Sequence, residues 1–171
     1  MQNVMANGAA VAAGQAPVFY ATALFGALGC AGGSGNTLPL VLMGLRSKSE
    51  QLRAVSKVAL IPGIFNINEP VIYGYPIVYN LPLIIPFVVV PDLLIAATYG
   101  LTCIGLISPC VVMVPWTTPV LLSGWLATAG DFRAVIWQVI EIAVSMAIYL
   151  PFMKISERAQ AKQLENASEE E

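Results

Sequence analysis

The chain has 171 residues, 57% of them hydrophobic and 11% charged, with a net charge of −2, no histidine and three cysteines. These shares lie above and below the globular norms of about 45–50% and 25%, and the apolar excess falls between Val58 and Met153, so the expected solvent is a bilayer. The weakly acidic balance, without a basic stripe, gives no reason to expect nucleic acid as a partner. Without histidine there can be no His-based triad, His metal site or phosphohistidine in the chain. Cys30, Cys103 and Cys110 sit in apolar segments without a C-x-x-C spacing and read as small buried hydrophobes. No metal or cofactor is expected.

Residues 1–16 are small and weakly amphipathic, either the tail of a helix or a loop. No basic residue precedes Arg46, so no secretory signal is expected, and the chain is expected to enter the membrane through its own spans or behind a missing N-terminal partner sequence. The apolar run Pro17–Ala31 is short for a crossing, which takes about 20 residues, unless it borrows from Ala9–Ala13. It meets Gly32-Gly33-Ser34-Gly35-Asn36-Thr37. A phosphate-cradling loop would need a lysine where Asn36 stands. The glycines are therefore expected to make a tight turn or a close helix contact. After apolar Leu38–Leu45, the block Arg46–Lys57 holds four of the eight basic residues and reads as an ordinary solvated loop on the cytoplasmic side.

From Val58 to Pro91 prolines stand at 62, 70, 76, 82, 86 and 91, too many for one continuous helix. Non-helical backbone at membrane depth is tolerated only where protein or a water-filled cavity covers it. Val58 to about Asn80 is therefore expected as a re-entrant hairpin. Leu83–Ile107 is expected as a span kinked at Pro86 and Pro91, with Asp92 at an interface or capping the next helix. Ser108–Gly130, interrupted by Pro109, Pro115-Trp116-Thr117-Thr118-Pro119 and Gly124, forms a second irregular element. Asp131-Phe132-Arg133 reads as a short exposed loop. Val135–Met153 is a second span, with Glu141 paired inside the bundle. Lys154, Arg158 and Lys162 place the tail in the cytoplasm, and Glu165–Glu171 is acidic and expected to be disordered. The fold class is thus all-α integral membrane, with few transmembrane helices plus re-entrant hairpins built of proline-broken helices. Residues 1–153 form the membrane-embedded part and 154–171 a cytoplasmic polar tail.

The stretch Phe65-Asn66-Ile67-Asn68-Glu69-Pro70 sets a carboxylate and two amides inside this oil. A carboxylate in a bilayer costs roughly 2.5 to 3.5 kcal/mol or more, so such residues usually face a cavity. Pro70 suits the first turn of a helix and pushes Glu69 out of a helix interior. Glu69 is then expected at a helix break, near the partial positive charge of a helix N-terminus. Broken helices that present polar groups at mid-membrane build transporter sites. An acceptor-only carboxylate beside amides that both donate and accept suits a neutral polyhydroxylated ligand, so sugar is the favoured substrate. Trp116, Tyr73, Tyr75 and Tyr79 are available to stack on its apolar face. Other roles stay open: Asn66 and Asn68 as partners for backbone groups freed at the break, Trp116 as an interfacial anchor, the tyrosines as packing.

The run Pro62-Gly63-Ile64-Phe65-Asn66-Ile67-Asn68-Glu69-Pro70-Val71-Ile72-Tyr73-Gly74, followed by Pro76-Ile77-Val78 and Asn80, closely resembles the signature of the membrane-spanning IIC components of the bacterial sugar phosphotransferase system, lactose/cellobiose type. Gly32–Leu38 and Pro115–Pro119 are similar to two further landmarks of that family, in the same order. The resemblance implies a multi-pass permease of the cytoplasmic membrane, homodimeric in the complete protein, that passes a β-linked disaccharide such as cellobiose inward. A cytosolic IIB partner then phosphorylates the sugar from a phosphocysteine. The family's acidic sugar contact falls on Glu69, with Asn68 beside it, and Asn66 and Trp116 complete the candidate substrate site. No catalytic residue is expected. A complete member is more than twice as long. This chain resembles its C-terminal half, and the other half carries the scaffold helices, the dimer interface and a histidine near the sugar.

Two other readings stand beside this one. A membrane-embedded hydrolase would pair Glu69 with Glu141 or Asp92 about 5 to 9.5 Å apart across a polar cavity. A non-transporting remnant or accessory subunit would only pack against a complete permease.

Overall fold

The computed structural model of the chain describes residues 2–15 and 28–169; most of the apolar run expected from Pro17 lies outside them. Every regular element among the described residues is helical. They are α1 (Gln2–Ala12), α2 (Leu38–Gly44), α3 (Glu50–Ile64), α4 (Glu69–Gly74), a 3-10 turn (Ile77–Tyr79), α5 (Leu81–Cys103), α6 (Leu122–Ala127) and α7 (Phe132–Glu169).

Local chemistry accounts for the helix starts. Prolines occupy the first turns of α2, α4 and α5, where a missing N–H costs nothing. Ser49 caps α3, its hydroxyl accepting from Leu52 N at 3.4 Å. The block expected as a solvated loop is thus helical from Glu50 onward. Leu52, Ser56, Ala59 and Gly63 form a buried stripe while Glu50, Arg53 and Lys57 face outward, the amphipathic spacing that a capped helix needs. Asp131, expected in an exposed loop, caps α7: its Oδ1 accepts from Arg133 N and its Oδ2 from Ser108 N, both at 2.9 Å.

The break expected near Glu69 spans Phe65–Asn68. Asn66 stands there at φ +62°, a left-handed backbone that asparagine tolerates better than most residues. α4 then begins at Glu69.

α5, of 23 residues, and the first 28 residues of α7 are long and apolar enough to cross a membrane. At 1.5 Å per residue, α5 reaches about 35 Å against a hydrocarbon core of about 30 Å. It packs along α7; its Leu83, Val90, Leu94, Thr98 and Thr102 are buried, while Val88, Val89, Leu93 and Tyr99 face outward. A helix apolar on its outer face as well as its packed one has lipid or another helix as its proper surroundings. Asp92 neither starts nor caps a helix; it lies midway along α5, exposed. α7 continues through the polar tail as far as Glu169, so residues 165–169 are helical where disorder is expected. The preceding run 159–165, of alanine, glutamine, lysine, leucine and glutamate, consists of good helix formers that carry the helix into it.

One core cluster joins α2, α3, α4, α5 and α7 through Leu40, Val41, Leu52, Val71, Leu83, Leu94 and Tyr149. A second joins Leu28, Ile107, Cys110, Ala127 and Ala134. Polar ties fasten the far end: Ser47 to Glu157, and Asn80 Nδ2 donating to Ser156 Oγ at 2.6 Å.

Candidate functional site

Three stretches far apart in the chain meet at one place. Asn66 is the staple. Its Oδ1 accepts from Gly32 N at 2.9 Å, and its Nδ2 donates to the carbonyls of Trp116 at 3.1 Å and Thr118 at 3.0 Å. One amide thus ties the glycine-rich loop, the helix break and the Pro115–Pro119 segment together. Val120 N adds a backbone bond to Ile64 O at 2.9 Å. Asn68, buried, donates its Nδ2 to Ser34 O at 2.6 Å.

These bonds enclose a cavity of about 290 Å³ lined by Cys30, Gly33, Ser34, Asn66, Asn68, Glu69 and Trp116. Its volume lies near the lower edge of small-molecule sites, about 300 Å³. The glycine loop makes this close approach possible. Gly33 has φ +86°, and a Cβ on it would stand 2.6 Å from Asn66 O, so no side chain fits. Thr37 Oγ1 closes the loop by donating to Gly32 O at 2.6 Å. The tight turn expected of these glycines is what the backbone makes.

All four site residues expected from the sequence line this cavity, in different states. Glu69 is exposed and makes no hydrogen bond or ion pair among the described residues. Asn68 uses its amide donor but no hydrogen bond to its Oδ1 is seen among those residues. Trp116, 64% exposed, presents its ring at the rim while its carbonyl takes the Asn66 bond. Asn66 satisfies backbone groups, as one sequence reading allows, but those of two other segments and not those of its own break.

The tyrosines do not join. Tyr75 is buried against Ser56 at 2.5 Å, and none of the three lines the cavity. Nor does the carboxylate pair of a hydrolase: Glu141 is buried in the α5–α7 seam and Asp92 lies on the outer face of α5, so Glu69 is the sole acid of the lining among the described residues. Cys30, Gly33 and Ser34 are lining residues that site reasoning from the sequence missed; the glycine run was the available signal. Burial pushes the Cys30 thiol up to about 12, which makes it a poor nucleophile near neutral pH.

The chain is similar to known proteins of one family. The family described as "Phosphotransferase system, EIIC" matches residues 1–91. The lichenan permease IIC component of Bacillus subtilis is 44% identical over 134 residues, 77% of this chain and 30% of that protein. The cellobiose-specific EIIC component of Geobacillus stearothermophilus is 46% identical over 132 residues, 76% and 29% respectively. The transporter ChbC, the IIC component of an N,N'-diacetylchitobiose-specific phosphotransferase system, superposes with a TM-score of 0.90 at 39% identity, covering 96% of this chain and 39% of that one. The chain spans about a third of the length of the curated relatives it matches. With three landmark segments converging on one cavity, and with these matches, the chain belongs to the membrane-embedded EIIC family of the phosphotransferase system.

Proposed function

We propose that this chain carries the sugar-binding part of a phosphotransferase-system permease for a β-linked disaccharide such as cellobiose. The observation that carries the proposal is the lining itself: a carboxylate, an amide oxygen and an indole ring converge on one small cavity. Glu69 accepts hydrogen bonds from sugar hydroxyls, Asn68 Oδ1 accepts another, and Trp116 stacks on the sugar face. Asn66 holds the three segments at the spacing these contacts require. The relatives' names, one cellobiose-specific and one a lichenan permease, support the choice of sugar.

Within this reading residues 1–153 are the membrane-embedded transport part and 154–171 a cytoplasmic tail. α5 and α7 cross the bilayer, and the broken α3–α4 and the Ser108–Gly130 segment are re-entrant. Four basic residues between Arg46 and Lys57, all exposed, support a cytoplasmic side for that end, which the Ser47–Glu157 tie shares with the far end of α7. The sugar-loaded unit moves against scaffold helices, and a cytosolic IIB partner phosphorylates the sugar. The complete protein is a homodimer. No group of this chain performs the covalent step.

Calorimetric titration of the purified chain with cellobiose tests the site. Glu69→Gln removes hydrogen bonds to a charged acceptor worth about 1.5–3 kcal/mol, so affinity falls roughly 10- to 100-fold with the helical circular dichroism unchanged. Equal affinity in the two proteins refutes the assignment. Uptake of labelled cellobiose, with the chain expressed alone and beside a complete homologous permease, separates a transporting unit from an accessory one.

A further inference from the structure

The α5–α7 seam holds a second acidic group, and the sugar-site reading does not use it. Glu141 is fully buried. Its Oε1 lies 2.8 Å from Thr98 Oγ1, and its Oε2 has no hydrogen-bond partner among the described residues. Thr98 Oγ1 is crowded further: the carbonyl of Leu94, one turn back on α5, and Trp137 Nε1 on α7 both stand 2.7 Å away.

Hydrogen counting decides the protonation state. A hydroxyl brings one hydrogen and two lone pairs. The indole N–H of Trp137 occupies one lone pair. Leu94 O has no hydrogen to give, so the Thr98 hydrogen lies on that line. The second lone pair faces Glu141 Oε1, and a contact of 2.8 Å there is attractive only if the carboxyl supplies the hydrogen. An ionised Glu141 would instead draw the Thr98 hydrogen to itself. Two bare oxygens, of Thr98 and Leu94, would then face each other at 2.7 Å, and an unpaired charge would be buried, at a cost of several kcal/mol.

We infer that Glu141 is a proton-binding site: in the folded membrane domain its carboxyl holds a proton and donates it to Thr98 Oγ1. Among the described residues the neighbours supply no compensating charge. α2 and α6 contain no titratable residue, and on α5 Asp92 and Tyr99 are exposed. The glycine-rich loop contributes Cys30, a neutral thiol. Along α7, Tyr149 donates its O–H to Gly35 O at 2.6 Å. No lysine or arginine pairs with Glu141 among the described residues.

The proton site connects to the cavity by a short path. Ser145 Oγ donates to the Glu141 carbonyl at 2.6 Å and accepts from Asn36 Nδ2 at 2.7 Å. Asn36 belongs to the loop whose Gly33 and Ser34 wall the pocket. Loss of the proton would swing the Thr98 hydroxyl off Leu94 and loosen the seam on which that loop rests. The inference does not depend on what the cavity binds.

Infrared spectra of the chain in lipid nanodiscs at neutral pH test it. Wild type should show the carbonyl stretch of a protonated carboxyl, shifting in D2O, retained in Glu69→Gln and Asp92→Asn, and lost in Glu141→Gln. Persistence of the band in Glu141→Gln, or no such band in wild type, overturns the inference. Thr98→Val gives a second reading that leaves Glu141 in place: loss of the hydroxyl acceptor should move the band to higher frequency. An unmoved band there also overturns it.

Discussion

Asn66 and Glu69, three residues apart, divide the work between building the cavity and facing it. Asn66 commits its amide to three backbone groups in two distant segments, whereas Glu69 remains unpaired among the described residues. Asn66→Ala orphans those groups at about 1–3 kcal/mol for each that stays buried. We expect a thermal midpoint several degrees lower and weakened ligand binding even with Glu69 intact, read by melting and titration of the same sample. Gly33→Ala should act similarly, because its φ of +86° and the 2.6 Å approach of Asn66 O leave no place for a methyl group. A Gly33→Ala protein with wild-type melting and binding would remove the stapled-loop account of the site. The sequence motif placed these residues at one site, but both asparagines read alike there. Which one would be spent on architecture depended on carbonyls 50 and 52 residues away.

At the scale of elements, caps decide where helices begin, and two capping residues were read from the sequence as parts of loops. Asp131 shows how a cap ties two elements together, since it takes one N–H from its own helix and another from Ser108. Burial works to raise the pKa of its carboxyl, but the hydrogen bonds from Ser108 and Arg133 and the Arg133 charge outweigh it, and the net shift is downward. A depressed folded-state pKa means that the stabilisation is present above the unfolded value and is lost as pH falls through the folded one. Asp131→Ala should therefore cost about 0.5–2 kcal/mol near neutrality, toward the low end for a partly solvated cap. Wild type and variant should converge in acid. Thermal melts of both proteins from pH 7 down to about 3, below the ordinary carboxylate range, check this; a gap independent of pH would show that Asp131 acts by packing alone.

For the whole molecule, the telling surface is the outer side of α5. Asp92 sits midway along a helix of membrane length, exposed beside Val88, Val89 and Leu93. An aspartate at the centre of an inserted helix costs about 2.5–3.5 kcal/mol on insertion scales. Asp92→Leu should accordingly raise the inserted fraction of α5 in a glycosylation-mapping assay, and Asp92→Lys should not. Equal insertion of the leucine variant and wild type would place Asp92 away from hydrocarbon.

The sequence by itself determined the solvent, the two long apolar helices, the broken helix at Phe65–Asn68 and the acid that follows it. Hydropathy and the steric rules of proline act on near neighbours, so they can be read along the chain. Tertiary structure alone decided the partners: Asn66 to Gly32 and Trp116, Asn36 to Ser145 across 109 positions, and Glu141 to Thr98. A hydrogen bond depends on where a donor and an acceptor come to rest in space, and separation along the chain carries almost none of that information.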